Sequence, residues 1–134
     1  MLETNRRKII GILFIFIGLY TLYTNKLQAN IVHSISVKEA HQYLQNNSNI
    51  SILDVRNEEE FEDYGYLFDA KLIPLYLLER KMNSLDKNKI ILVYCHSGRR
   101  SSLAADLLSK NGFRVLNLKG GMSSWVNNEL PYVF

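Results

Sequence analysis

The chain holds one cysteine, Cys95, in the run Tyr94-Cys95-His96-Ser97-Gly98-Arg99-Arg100-Ser101. A thiol with Ser, Gly and two arginines directly behind it is the part of this sequence best suited to chemistry. In a tight loop ahead of a helix, backbone N–H groups converge on one spot, and the helix adds its unpaired donors and the positive end of its dipole. Gly98 lets the backbone fold closely, while Arg99 and Arg100 supply positive charge. A cysteine at the rim of such a cradle ionises more readily than a free thiol, whose pKa is about 8.5. The expectation is a Cys95 thiolate beside an oxyanion site built by His96, Ser97, Gly98, Arg99, Arg100 and Ser101. The other reading of a lone cysteine, a small buried hydrophobe, stays open, although the cationic residues behind it weigh against it.

Two elements must position this loop. Residues 90–93 are all aliphatic, follow a polar stretch and lead into Tyr94, which is the pattern of a strand buried on both faces of a parallel sheet. Beyond the loop, Leu103, Ala104, Leu107 and Leu108 fall at helical spacing, with Lys110 in the last turn and Gly112 suited to ending it. Residues 95–101 therefore read as a strand-to-helix loop, with the helix under way from Leu103.

The rest of the chain alternates in the same manner. Residues 31–35 read as a short strand, and Ser36 as the N-cap of a helix over 37–44 with Glu39 completing a capping box. A second strand spans 50–55. Asn57 caps a helix with Glu60 at the capping-box position, and acid in its first turns suits the dipole, so residues 58–63 read as a solvated face. Residues 75–82 form a short helix, 114–118 a last strand, and Gly120-Gly121 a tight turn into a helix that carries Trp125 as a packing residue. This is an α/β domain with a mostly parallel sheet, whose ligand site belongs at the carboxyl ends of the strands, where Cys95 sits. Charges at such an end, Asp54 and Arg56, need partners.

YCHSGRRSS at 94–102, VLNLKGGMSSW at 115–125 and ILDVRNEEEFEDYG at 52–65, in this order and spacing, resemble the rhodanese-homology family of single-domain sulfurtransferases. The resemblance covers roughly residues 31–134. It implies a three-layer fold and sulfur transfer without a cofactor: the Cys95 thiolate attacks the outer sulfur of a thiosulfate-like donor, carries it as a persulfide and passes it to a thiol or other nucleophilic acceptor. It also implies that Asp54 and Arg56 fix loops by hydrogen bonds and ion pairing, and that Gly121 and Trp125 wall the pocket. The chain departs from the family at Tyr66, where a histidine is usual, and at the turn over 68–71. Two alternatives are a binding module of the same fold without turnover and a cysteine-based phosphatase or arsenate reductase. The latter place an arginine six residues after the cysteine, where this chain has Ser101. A thiol redox role lacks a resolving cysteine.

Composition bounds the remainder. The formal charge of +3 comes from the first 30 residues, where four basic side chains face one acidic; the rest balances, which gives no reason to expect a nucleic-acid partner. With one cysteine there is no internal disulfide, and His33 and His41 lack metal-ligand spacing, so no metal site is expected. Arg6, Arg7 and Lys8 precede an uncharged apolar run over residues 9–24, a membrane-insertion signal. Tyr20 and Tyr23 suit an interfacial belt and favour an uncleaved anchor over a signal cleaved near Ala29. The basic cluster then stays cytoplasmic and the domain lies on the outer side. The expected division is a leader over 1–30 and a domain over 31–134.

Overall fold

The structure is a computed structural model that describes residues 2–29 and 32–134, with side chains described over 5–24 and 32–134. The apolar leader is one helix, α1 (Leu2–Ala29), of which the 20 residues Asn5–Thr24 are long and apolar enough to cross a membrane. Ile31 and the expected boundary between leader and domain lie outside the described residues.

Five strands form one sheet: β1 (His33–Ile35), β2 (Ile50–Asp54), β3 (Lys71–Leu72), β4 (Ile90–Tyr94) and β5 (Arg114–Leu118), ordered β1-β5-β4-β2-β3 with every pair parallel. β4 is central because it can be buried on both faces, and from Ile91 to Tyr94 every side chain is. Its alternation serves two cores. Ile91, Val93 and Cys95 face a layer made by α4 (Leu75–Lys81) and α5 (Arg99–Lys110), with Leu78, Ala104, Ala105 and Leu108. Leu92 and Tyr94 face the opposite layer, made by α2 (Val37–Asn46) and α6 (Gly121–Asn127), with Val37, Ala40, Met122 and Trp125. The register pairs Tyr94 with Asp54, so the functional segments leave the sheet side by side at its carboxyl edge.

The capping box of α2 forms: Ser36 N donates to Glu39 Oε2 at 3.0 Å and Glu39 N to Ser36 Oγ at 3.3 Å. α2 runs two residues past the expected end, whereas β2 stops at Asp54, with Val55 N still donating to Tyr94 O at 3.0 Å. α4 ends at Lys81, and Met82 passes into a 3-10 turn. The short α3 (Glu58–Asp63) starts after Asn57, as expected.

Two segments differ from expectation in ways that matter. α5 begins at Arg99, not Leu103, because Gly98 adopts φ 97° as its N-cap and turns the chain at once. Apolar periodicity detects a helix only where it meets the core, and the first turn of α5 faces the loop. β3 was not expected at all. The departing segment lies against β2 and meets the C-terminal stretch: Tyr66 and Val133 exchange two backbone hydrogen bonds of 2.8 Å, and the Tyr66 ring stacks on Phe61 at 4.0 Å.

Candidate active site

Cys95 follows β4, at the point where the chain must leave the sheet. Peptide planes decide what happens next, since C=O and N–H of a trans peptide point in opposite directions. The carbonyls of Cys95 and His96 are held by the first turn of α6, from Met122 N at 2.8 Å and Ser123 N at 2.9 Å. The N–H groups of His96 and Ser97, on the other sides of those peptides, therefore face away from α6. Gly98 completes the turn, and its N–H donates to Cys95 Sγ at 3.1 Å.

Close approach of α6 requires glycine. A Cβ on Gly121, whose φ is 56°, would lie 2.3 Å from Cys95 O and 2.7 Å from His96 O. The Gly-Gly pair thus serves turn geometry and also brings α6 down as a roof over the cysteine loop.

The sulfur lies deeper than expected. Cys95 has 0% exposure and belongs to the α4/α5 core, so it is at the bottom of the amide nest, not at its rim. The reason is the early start of α5, which folds Ser101, also 0% exposed, over the loop. Burial pushes the thiol pKa up. Hydrogen bonds from the Ser101 hydroxyl and from the N–H groups of Ser101, Gly98 and Ser97 outweigh it, and the net shift is downward. Ser101 Oγ is also 3.1 Å from Gly98 O, which ties the first turn of α5 to its cap. His96, Ser97 and Arg99 are exposed around the loop.

Arg100 does not point free charge at the site. Its guanidinium binds Glu60 on α3 in a two-pronged pair, Nη1 to Oε2 at 2.6 Å and Nη2 to Oε1 at 2.7 Å. The Arg100 pair lowers the Glu60 pKa to about 2. Glu58, Glu59, Glu62 and Asp63 are exposed as a solvated face should be, but Glu60 is not. Its partner lies 40 residues away, beyond the reach of any local pattern.

Asp54 and Arg56 are both fully buried and paired, Arg56 Nη2 to Asp54 Oδ2 at 2.6 Å and Nε to Oδ2 at 2.9 Å. Burial alone would lower the guanidinium pKa, but hydrogen bonding and the charge of Asp54 reverse that and raise it. Its remaining N–H groups reach Glu60 O at 3.2 Å and Gly65 O at 2.7 Å. The Tyr94 ring lies 5.5 Å from the guanidinium, and Tyr94 Oη accepts from Leu67 N at 3.1 Å. Arg56 therefore fastens α3 to the sheet, α3 holds Arg100 through Glu60, and Arg100 sits in the first turn of α5. This chain of contacts ends at the cysteine loop.

Among the described residues no group of three or more His, Cys, Asp or Glu is placed to hold a metal. A cavity of about 940 Å³ lies elsewhere, between α2 and β2, lined by residues such as His41, Ile52, Leu67 and Trp125 and by none from 95 to 101. His41 packs edge-on against Trp125 at 5.7 Å, and the Trp125 ring N–H donates to Pro131 O. Trp125 thus packs under this cavity and not at the sulfur.

Comparison with known proteins places this geometry. The sequence profile of the rhodanese-like domain matches residues 36–128. A sulfurtransferase of Allochromatium vinosum is 33% identical over 104 residues, which cover 77% of this chain and 96% of that one. A Bacillus subtilis protein named for a sulfur-carrier role is 38% identical over 98 residues, 72% of this chain but 52% of that protein, so the chain spans about half its length. The crystal structure of a rhodanese-related protein from Thermoplasma volcanium superposes with a TM-score of 0.70 at 29% identity, covering 75% of this chain and 97% of that one.

Proposed function

The chain belongs to the rhodanese-like domain family, and from that premise we propose that it is a sulfurtransferase which carries sulfane sulfur as a persulfide on Cys95. The observation that carries the reading is the Gly98 N–H donated to Cys95 Sγ at 3.1 Å, one of several hydrogen bonds that favour the thiolate over the thiol. The sulfurtransferase and sulfur-carrier names of its relatives support the same chemistry.

In the first half-reaction the Cys95 thiolate attacks the outer sulfur of a donor. With thiosulfate, the new Sγ–S bond forms as the S–S bond of the donor breaks, and the electron pair leaves on sulfite. The persulfide anion inherits the amide nest that held the thiolate, so no charge is left unsolvated. In the second half-reaction a thiol or other nucleophile takes the terminal sulfur and Cys95 returns as thiolate. Approach to a sulfur with 0% exposure requires the loop to yield, and His96, Ser97 and Arg99 are its exposed residues. No cofactor is needed for either step.

The test is intact mass. The chain incubated with a sulfane donor gains one sulfur atom, a thiol removes it, and Cys95→Ser gains none; uptake that persists in Cys95→Ser refutes the proposal. We further propose that α1 anchors the domain to a membrane through residues 9–24, with Arg6, Arg7 and Lys8 on the cytoplasmic side and the domain on the outer side. Protease added outside intact cells then digests the domain; complete protection, or a mature protein lacking its first 29 residues, refutes the anchor.

A further inference from the structure

Glu60 touches neither Cys95 nor the loop residues 96–99, yet it determines how much charge the site can offer. Its carboxylate fills the two-pronged face of the Arg100 guanidinium, the face a donor oxyanion would use. The pair is part-buried, with the Arg100 side chain 33% exposed and Glu60 24%, and Glu60 is itself fixed. Its Oε2 accepts from Asn57 N at 3.0 Å, and its carbonyl oxygen accepts from buried Arg56. An anion that took this face of Arg100 would have to evict the carboxylate, and one at another edge of the guanidinium would sit beside it. Among the described residues, Arg99 is exposed and has no ionic partner. The loop therefore offers one free cation, not the two that its sequence suggests, and the amides of Gly98 and Ser101 already face Sγ.

We infer that Glu60 is a specificity-determining residue: by neutralising Arg100 it turns the site away from dianionic oxyanion donors such as thiosulfate and toward persulfides borne on a thiol. This rests on the sulfurtransferase reading above and names its donor class. With a thiol persulfide, R–S–SH, the Cys95 thiolate attacks the outer sulfur, the S–S bond of the donor breaks, and its electron pair and negative charge leave on RS⁻. Counted at the Cys95 thiolate and the sulfur group of the donor alone, the reacting atoms carry one negative charge throughout. With thiosulfate they carry three, against a single free guanidinium.

The experiment uses the full chain in detergent micelles and follows sulfur uptake at Cys95 by intact mass, with thiosulfate and glutathione persulfide as probes. In the wild type glutathione persulfide charges Cys95 faster than thiosulfate. Glu60→Gln frees Arg100 and shifts the rate ratio toward thiosulfate by about fivefold, the effect of one charge on a partly exposed site. Glu60→Asp keeps the charge and stays near the wild-type ratio, while Arg99→Gln shifts it the other way. A Glu60→Gln variant that slows both donors by the same factor overturns the inference and makes Glu60 a strut alone; so does a wild type that prefers thiosulfate. If Glu60→Gln does not fold, Arg99→Gln decides, because an unchanged ratio there also overturns it. Failure of both probes to charge wild-type Cys95 is a different result, and defeats the sulfurtransferase reading itself.

Discussion

Gly121→Ala tests whether α6 shapes the cysteine loop. The new Cβ would lie 2.3 Å from Cys95 O and 2.7 Å from His96 O, where an ordinary C···O contact is about 3.3 Å. To relieve the overlap α6 must retreat by about 1 Å, which carries the bonds from Met122 N and Ser123 N, now 2.8 and 2.9 Å, beyond hydrogen-bond length. Two lost bonds cost about 1 kcal/mol each, and a left-handed backbone costs a non-glycine residue about 1–2 kcal/mol more. The sum, about 3–4 kcal/mol, is a large part of the 5–15 kcal/mol typical of a domain. Urea unfolding reads the stability, and the rate of Cys95 alkylation at fixed pH reads the loop. We expect a lower midpoint together with a slower reaction, because peptides released from α6 no longer aim their N–H groups inward. Destabilisation below about 1 kcal/mol refutes the steric argument. The expected destabilisation with unchanged alkylation refutes the link between roof and nest.

Other perturbations act further along the same chain of contacts. Asp54→Ala leaves the Arg56 guanidinium buried and unpaired, and should cost about 3–5 kcal/mol in urea unfolding. Glu60 has its folded pKa depressed to about 2, below the usual carboxylate value near 4.3. Its contribution is thus fully present above pH 4.3 and lost as pH falls toward 2, and partial exposure keeps it to about 1 kcal/mol. The stability difference between wild type and Glu60→Gln should close over that window; a constant difference would show that the ion pair is not its source.

The central strand and both walls of the sheet were legible in the sequence because they rest on local patterns: the unbroken aliphatic run of β4, the capping residues Ser36 and Glu39, and the strand over Arg114–Leu118. The start of α5 was not, since its first turn is Arg-Arg-Ser-Ser and shows no apolar period. The depth of Cys95 escaped for a related reason. Burial of a loop sulfur depends on what covers it, and part of the cover is Ser101, which the early start of α5 folds over the loop, while Gly121 packs on the carbonyls behind it. Gly120-Gly121 was a visible signal that two chain segments come close, without saying which. The Glu60–Arg100 pair left no signal, because capping chemistry already accounted for Glu60 and charge at the cradle for Arg100.

That the loop makes Cys95 a thiolate despite its burial is tested most directly by titrating that thiol in the folded chain, from the pH dependence of its alkylation or its thiolate absorbance. We expect a midpoint below that of a free cysteine measured alongside it, rising in Ser101→Ala as one donor is removed. A midpoint at or above that of the free cysteine would mean that burial wins over the amide nest, and would contradict the reading of Cys95 as the sulfur-carrying nucleophile.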